Sequence, residues 1–179
     1  MTAILRFIGI LNAAIWLGGA VYFSFVAGQM PFSGAMKDLL KDAYPYYSGA
    51  IAQIGVARYF NFLLFCNVVA LAHLAAEWLY QERRNRKLML GLVGVMLGLT
   101  LLGGYWLQPK LRDLQRLKHA ANYPQPQREQ AAKSFGRWHA ASMTMNLFML
   151  GGLVIYAIHM SRPAEVARFV RSAPGQFRS

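Results

Sequence analysis

The sequence predicts an all-α fold, an integral membrane four-helix bundle with a short amphipathic loop helix and a helical extension after the third span. Three observations carry that prediction. Four runs, Ile4–Gly28, Arg58–Tyr80, Leu88–Leu107 and Arg137–Met160, each hold about 20 or more mostly apolar residues, the length that crosses ~30 Å of hydrocarbon as a helix. The chain is 56% hydrophobic and only 15% charged, against about 25% charged in a typical soluble domain. Charge is concentrated in the connections and the tail, and a lipid-exposed backbone must satisfy its polar groups internally, which selects helices over irregular chain.

The first run carries a single arginine, Arg6, near its start and exceeds the about 7–15 apolar residues of a signal-peptide core, so it reads as a retained span. After Pro31, the residues Met36, Leu39, Leu40 and Ala43 recur at helical spacing, which predicts a short amphipathic helix at the interface. The aromatic run Tyr44-Pro45-Tyr46-Tyr47 suits headgroup depth. The second and third spans are joined by a tight basic loop, Gln81–Lys87, and must be antiparallel neighbours. Pro109 then opens a polar stretch with Leu111, Leu114 and Leu117 in register, either starting a new helix or kinking the one that continues from the third span; this extension projects beyond the bilayer and ends near Asn122-Tyr123-Pro124. Residues 1–162 thus form the transmembrane domain, and residues 163–179 a basic surface or disordered tail.

A net charge of +12 raises nucleic acid as a partner, but the Lys and Arg sit beside apolar spans, in Arg83–Lys87 and Lys110–Lys118. That placement reads as contact with anionic lipid headgroups and as a topology signal, with no nucleic-acid role. Nine Lys and Arg fall on the side of the termini and ten on the other, and the short Arg83–Lys87 loop makes the former cytoplasmic. The expected location is a bacterial inner membrane, multi-pass, with both termini cytoplasmic. Cys66, the only cysteine, excludes an intrachain disulfide and reads as a small core residue.

Helices in lipid associate through close packing and interhelical hydrogen bonds. Gly91, Gly94 and Gly98 form a smooth face on the third span, expected to pack within the chain, or else against a second copy or another subunit. Asn67 and Asn146 fall at similar depth on antiparallel spans, so a direct hydrogen-bonded clamp is expected. His73 and Glu77, spaced i, i+4, share one helix face. That spacing suits a haem or chlorin ligand with its carboxylate partner, or a proton relay. The simpler reading is a glutamate reaching toward Arg83 or Arg84 at the interface and a histidine bonded to a carbonyl or to Glu77. His139 and Met143, also i, i+4, offer soft ligands that would suit copper, although methionine is equally a filler of apolar packing. No phosphate-cradling loop, nucleophile elbow or zinc-protease helix is present, so the chain is not expected to be an enzyme.

Several segments together resemble the family of transmembrane protein 205 and its bacterial relatives, four-helix membrane proteins of unknown function. They are Gly18-Gly19, Phe25-Val26, Met30-Pro31-Phe32, Tyr105 with Pro109-Lys110-Leu111, and a pattern of Phe135, Trp138, His139, Ser142, Asn146 and Leu147. The resemblance implies the four-helix fold and a role for the stretch from Trp138 to Asn146, with a polar seam facing the bundle interior. The same stretch is more distantly similar to copper-resistance membrane proteins. Taken together, the expected function is a non-catalytic accessory or stabilising subunit of a larger membrane complex, partnered by lipids and other membrane subunits and without a cofactor. The alternative is a redox protein binding haem, chlorin or copper, and a small-solute transporter ranks third.

Overall fold

The structure is a computed structural model that describes residues 2–80 and 86–162. Most of the predicted Gln81–Lys87 loop and the whole predicted tail, residues 163–179, lie outside the described residues. Every regular element among them is helical: α1 (Thr2–Tyr22), α2 (Gly34–Leu40), α3 (Tyr44–Tyr80), α4 (Arg86–Leu101), α5 (Gln108–His119) and α6 (Gln125–Ser161). Two π turns, Phe23–Ala27 and Leu102–Leu107, continue α1 and α4. Gly28 N–H donates to the Phe23 carbonyl at 2.7 Å, closing the wider ring that defines the first of these turns.

Three stretches are long and apolar enough to cross a membrane: 3–79, 87–119 and 125–161. The first contains both α1 and α3. Contacts pair Gly19 with Phe62, Asn12 with Cys66 and Gly9 with His73, so α3 runs back along α1. By the same test, α4 is antiparallel to α3 (Asn67 to Thr100, Phe60 to Gly103) and α6 to α4 (Gly152 to Met96, Met145 to Gly103).

The buried positions explain the packing. On α4 they are Met89, Val93, Met96 and Thr100, continuing through Gly103, Leu107 and Leu111. On α3 the buried stripe runs through Tyr59, Leu63, Cys66, Ala70, His73 and Glu77, with Asn67 and Leu74 buried beside it. Alternating steps of three and four give the near-3.5-residue seam of helices that wrap one another with a left-handed twist. The complementary faces carry large exposed apolar side chains, among them Phe7, Ile15, Phe65, Val95, Phe148 and Ile155. Less than a third of each apolar stretch is buried inside the chain. In water that arrangement would leave most of the apolar surface unsheltered, whereas lipid covers it without penalty.

The helices that carry the second and fourth apolar runs, α3 and α6, begin much earlier than those runs, at Tyr44 and Gln125 instead of Arg58 and Arg137. Each is 37 residues, about 55 Å at ~1.5 Å per residue, and therefore outruns a ~30 Å hydrocarbon layer. Apolar length reports only the part in lipid; the polar turns beyond it stay helical because they pack on one another. Here α5 lies against the first turns of both α3 and α6 instead of projecting alone. Ser48, Leu111, Gln115 and Ala131 are buried between them, and the Gln115 amide rests on Gly49, where any side chain would collide with it. The short amphipathic helix is α2, capped by the Ser33 hydroxyl, which accepts from Met36 N–H at 3.3 Å.

Candidate functional site

A group of buried polar side chains lies between α1, α3 and α6. Asn12 donates to the Cys66 carbonyl at 3.2 Å. His73 and Glu77 are 4% and 7% exposed, with Nε2 and Oε1 3.9 Å apart. His73 Nε2 is 2.8 Å from the Leu5 carbonyl oxygen, which can only accept, so this nitrogen carries the ring proton. Nδ1 is then left as a buried acceptor with no hydrogen-bond partner.

The close approach depends on Gly9. A Cβ there would lie 2.6 Å from His73 Cε1 and 3.0 Å from Met160 Sδ, so only glycine admits the imidazole. Further in along α1, Trp16 and Tyr156 meet edge to face at 5.9 Å between centroids. The Trp16 Nε1–H is also buried without a hydrogen bond.

A second polar chain joins three helices at the opposite end. The Tyr59 hydroxyl donates to Asn146 Oδ1 at 2.9 Å, Asn146 Nδ2 donates to Ser24 Oγ at 2.8 Å, and Ser24 Oγ donates to the Ala20 carbonyl at 2.7 Å. Phe23 stacks on Tyr59 at 4.0 Å, so the first π turn is tied to α3 by a ring and to α6 by a hydroxyl.

The direct Asn67–Asn146 clamp does not form. Asn67 Nδ2 instead donates to the Leu63 carbonyl and to Thr100 Oγ1, at 3.0 and 3.1 Å. Equal depth is necessary for contact, but the two amides leave their helices toward different neighbours. The glycine face is likewise not packed within the chain: Gly91, Gly94 and Gly98 are exposed, and a Cβ at each would meet nothing within 4 Å.

The inward polar seam expected on α6 is confined to Asn146 and, half-buried beside it, Ser142. His139 and Met143 are exposed on the outer face, and the His139 ring stacks on Phe135 at 5.7 Å. A helical i, i+4 relation specifies a shared face but not which way the face points. Trp138 serves a different cluster: it meets Trp106 edge to face at 5.1 Å, and Lys110 Nζ sits 4.0 Å above its ring. Pro109 stands in the first turn of α5, just past the second π turn.

The residues missed by sequence reasoning are Asn12, Ser24, Tyr59, Thr100 and Tyr156. All are hydrogen-bonding groups inside apolar runs, a signal that the sequence carries for each of them.

A helical chain with stretches of membrane-crossing length and an apolar core crossed by a few buried polar groups belongs to the membrane-type helical proteins. It is a member of the family described as Domain of unknown function (DUF4149), whose model matches residues 11–120. The match runs from α1 through α5, covers both π turns and ends before α6. No curated protein and no solved structure matches the chain.

Proposed function

We propose that the chain crosses the membrane four times, through α1, α3, α4 and α6, and acts as a non-catalytic accessory subunit of a larger membrane assembly. The observation that carries this reading is the open glycine face of α4. Small residues let helix backbones approach closely in lipid, and here that capacity is unused inside the chain. Four crossings put both termini on one side, the cytoplasmic one by the Arg83–Lys87 cluster, and the α2 and α5 head on the other. The likeness to the transmembrane protein 205 group is part of the same proposal.

The test is migration on a native gel after mild extraction from the source membrane. The wild-type chain should run in an assembly larger than itself. The triple variant Gly91→Leu, Gly94→Leu, Gly98→Leu should run alone with its thermal stability intact, since those positions touch nothing internal. A triple variant that stays in the assembly refutes the reading.

One observation favours a second reading, a soft metal or haem-type cofactor at His73. Nδ1 has no hydrogen-bond partner, and the imidazole shares the Gly9 notch with the Met160 thioether, a setting more enclosed than that of the outward-facing His139 and Met143. Metal analysis and a visible spectrum of the purified chain, compared with His73→Gln, decide it.

A further inference from the structure

Where α4 passes into α5, a groove of about 440 Å³ opens on the outer surface, lined by Tyr105, Trp106, Lys110, Asp113, Leu114 and Leu117 among others. On the four-crossing reading, on which this inference rests, Tyr105 and Trp106 sit at the edge of the hydrocarbon. They are 74% and 48% exposed, as interfacial aromatic residues are. Lys110 lies about 6 Å further along the helix and Asp113 about 4.5 Å beyond that, both within the headgroup layer.

The two charges do not neutralise each other. Lys110 Nζ is held over Trp138 at 4.0 Å and Trp106 at 5.1 Å, and among the described residues neither Lys110 nor Asp113 is in an ion pair. One cation and one anion, a helical turn apart, thus face a largely apolar groove at headgroup depth. An anionic headgroup would satisfy Lys110 but meet repulsion from Asp113. A zwitterionic headgroup satisfies both: its phosphate oxygens accept from the Lys110 ammonium, and a primary amine two carbons away donates to the Asp113 carboxylate. A quaternary amine has no N–H to donate.

We propose that this groove binds one phospholipid of the phosphatidylethanolamine class, phosphate on Lys110 and ammonium on Asp113, its glycerol end against Tyr105 and Trp106. The purified chain is mixed with equal amounts of phosphatidylethanolamine, phosphatidylcholine and phosphatidylglycerol, and the lipid retained on the intact protein is identified by native mass spectrometry. Wild type should retain phosphatidylethanolamine preferentially. Asp113→Asn should cut its ratio to phosphatidylglycerol about fivefold, the scale of one interfacial ion pair. Lys110→Gln should lose all three lipids, and Lys110→Arg should restore retention.

Preferential phosphatidylglycerol on wild type, or an unchanged ratio in Asp113→Asn, overturns the proposal. Because Asp113 is exposed, its substitution does not threaten folding. Co-flotation of the chain with lipid vesicles separates the two levels. A chain that does not float refutes membrane insertion itself, whereas one that floats without the lipid preference refutes only the headgroup site.

Discussion

Substituting Gly9 by alanine tests the packing around His73 directly. The added methyl would sit 2.6 Å from His73 Cε1, about 0.8 Å inside the 3.4 Å at which ordinary contact begins. The ring cannot retreat freely, because its Nε2 is bonded to the Leu5 carbonyl one turn earlier on the same helix. Overpacking of this kind costs about 1–3 kcal/mol, and a broken hydrogen bond adds roughly 1 kcal/mol. The better helix propensity of alanine returns about 1 kcal/mol. Gly9→Ala should therefore destabilise by about 1–3 kcal/mol. Gly94→Ala makes no contact and should be neutral or stabilising by up to about 1 kcal/mol. The assay is reversible unfolding in mixed detergent micelles, read by circular dichroism. In a His73→Ala background the Gly9→Ala step should cost almost nothing further, since the clash disappears with the ring. Equal stability of Gly9→Ala and Gly94→Ala would show that the imidazole does not occupy this notch.

Other substitutions probe the remaining contacts. Asn146→Leu removes the partner of both Tyr59 and Ser24 and should cost about 1–2 kcal/mol in the same unfolding assay. Thr100→Val keeps the shape but drops one bond from Asn67, which retains the Leu63 carbonyl, so a loss near 0.6 kcal/mol is expected. In the head, burial, and secondarily Lys118, push His119 below its ordinary value of 6.5. Its folded form binds a proton less readily than its unfolded form, so the stabilisation is complete above 6.5 and is lost as pH falls from there toward the lowered value. Amide exchange in α5 should accelerate across that acid window in wild type and lose the dependence in His119→Gln.

Much of this fold is legible in the chain because length and hydropathy are local properties. The apolar runs locate four long helices, Pro31 and the spacing after it announce α2, and Pro109 marks α5. What is not local is which side of each helix turns inward. In water, apolarity would distinguish the two sides. In lipid both sides are apolar, so burial follows shape and hydrogen bonding between particular partners.

His73 shows how far the sequence reaches. That it is a buried group able to bond a carbonyl follows from its place in an apolar run. That the carbonyl belongs to Leu5 and the cleft to Gly9 follows only from the register of α1 against α3. The same limit separates Asn67 from Asn146 and turns His139, Met143 and the α4 glycines outward. The sequence by itself determined an all-helical chain with membrane-length apolar segments. The tertiary structure alone decided which polar groups meet inside and which small or charged faces remain open to lipid and partners, because those outcomes depend on helix rotation and register, which side chains from several helices set together.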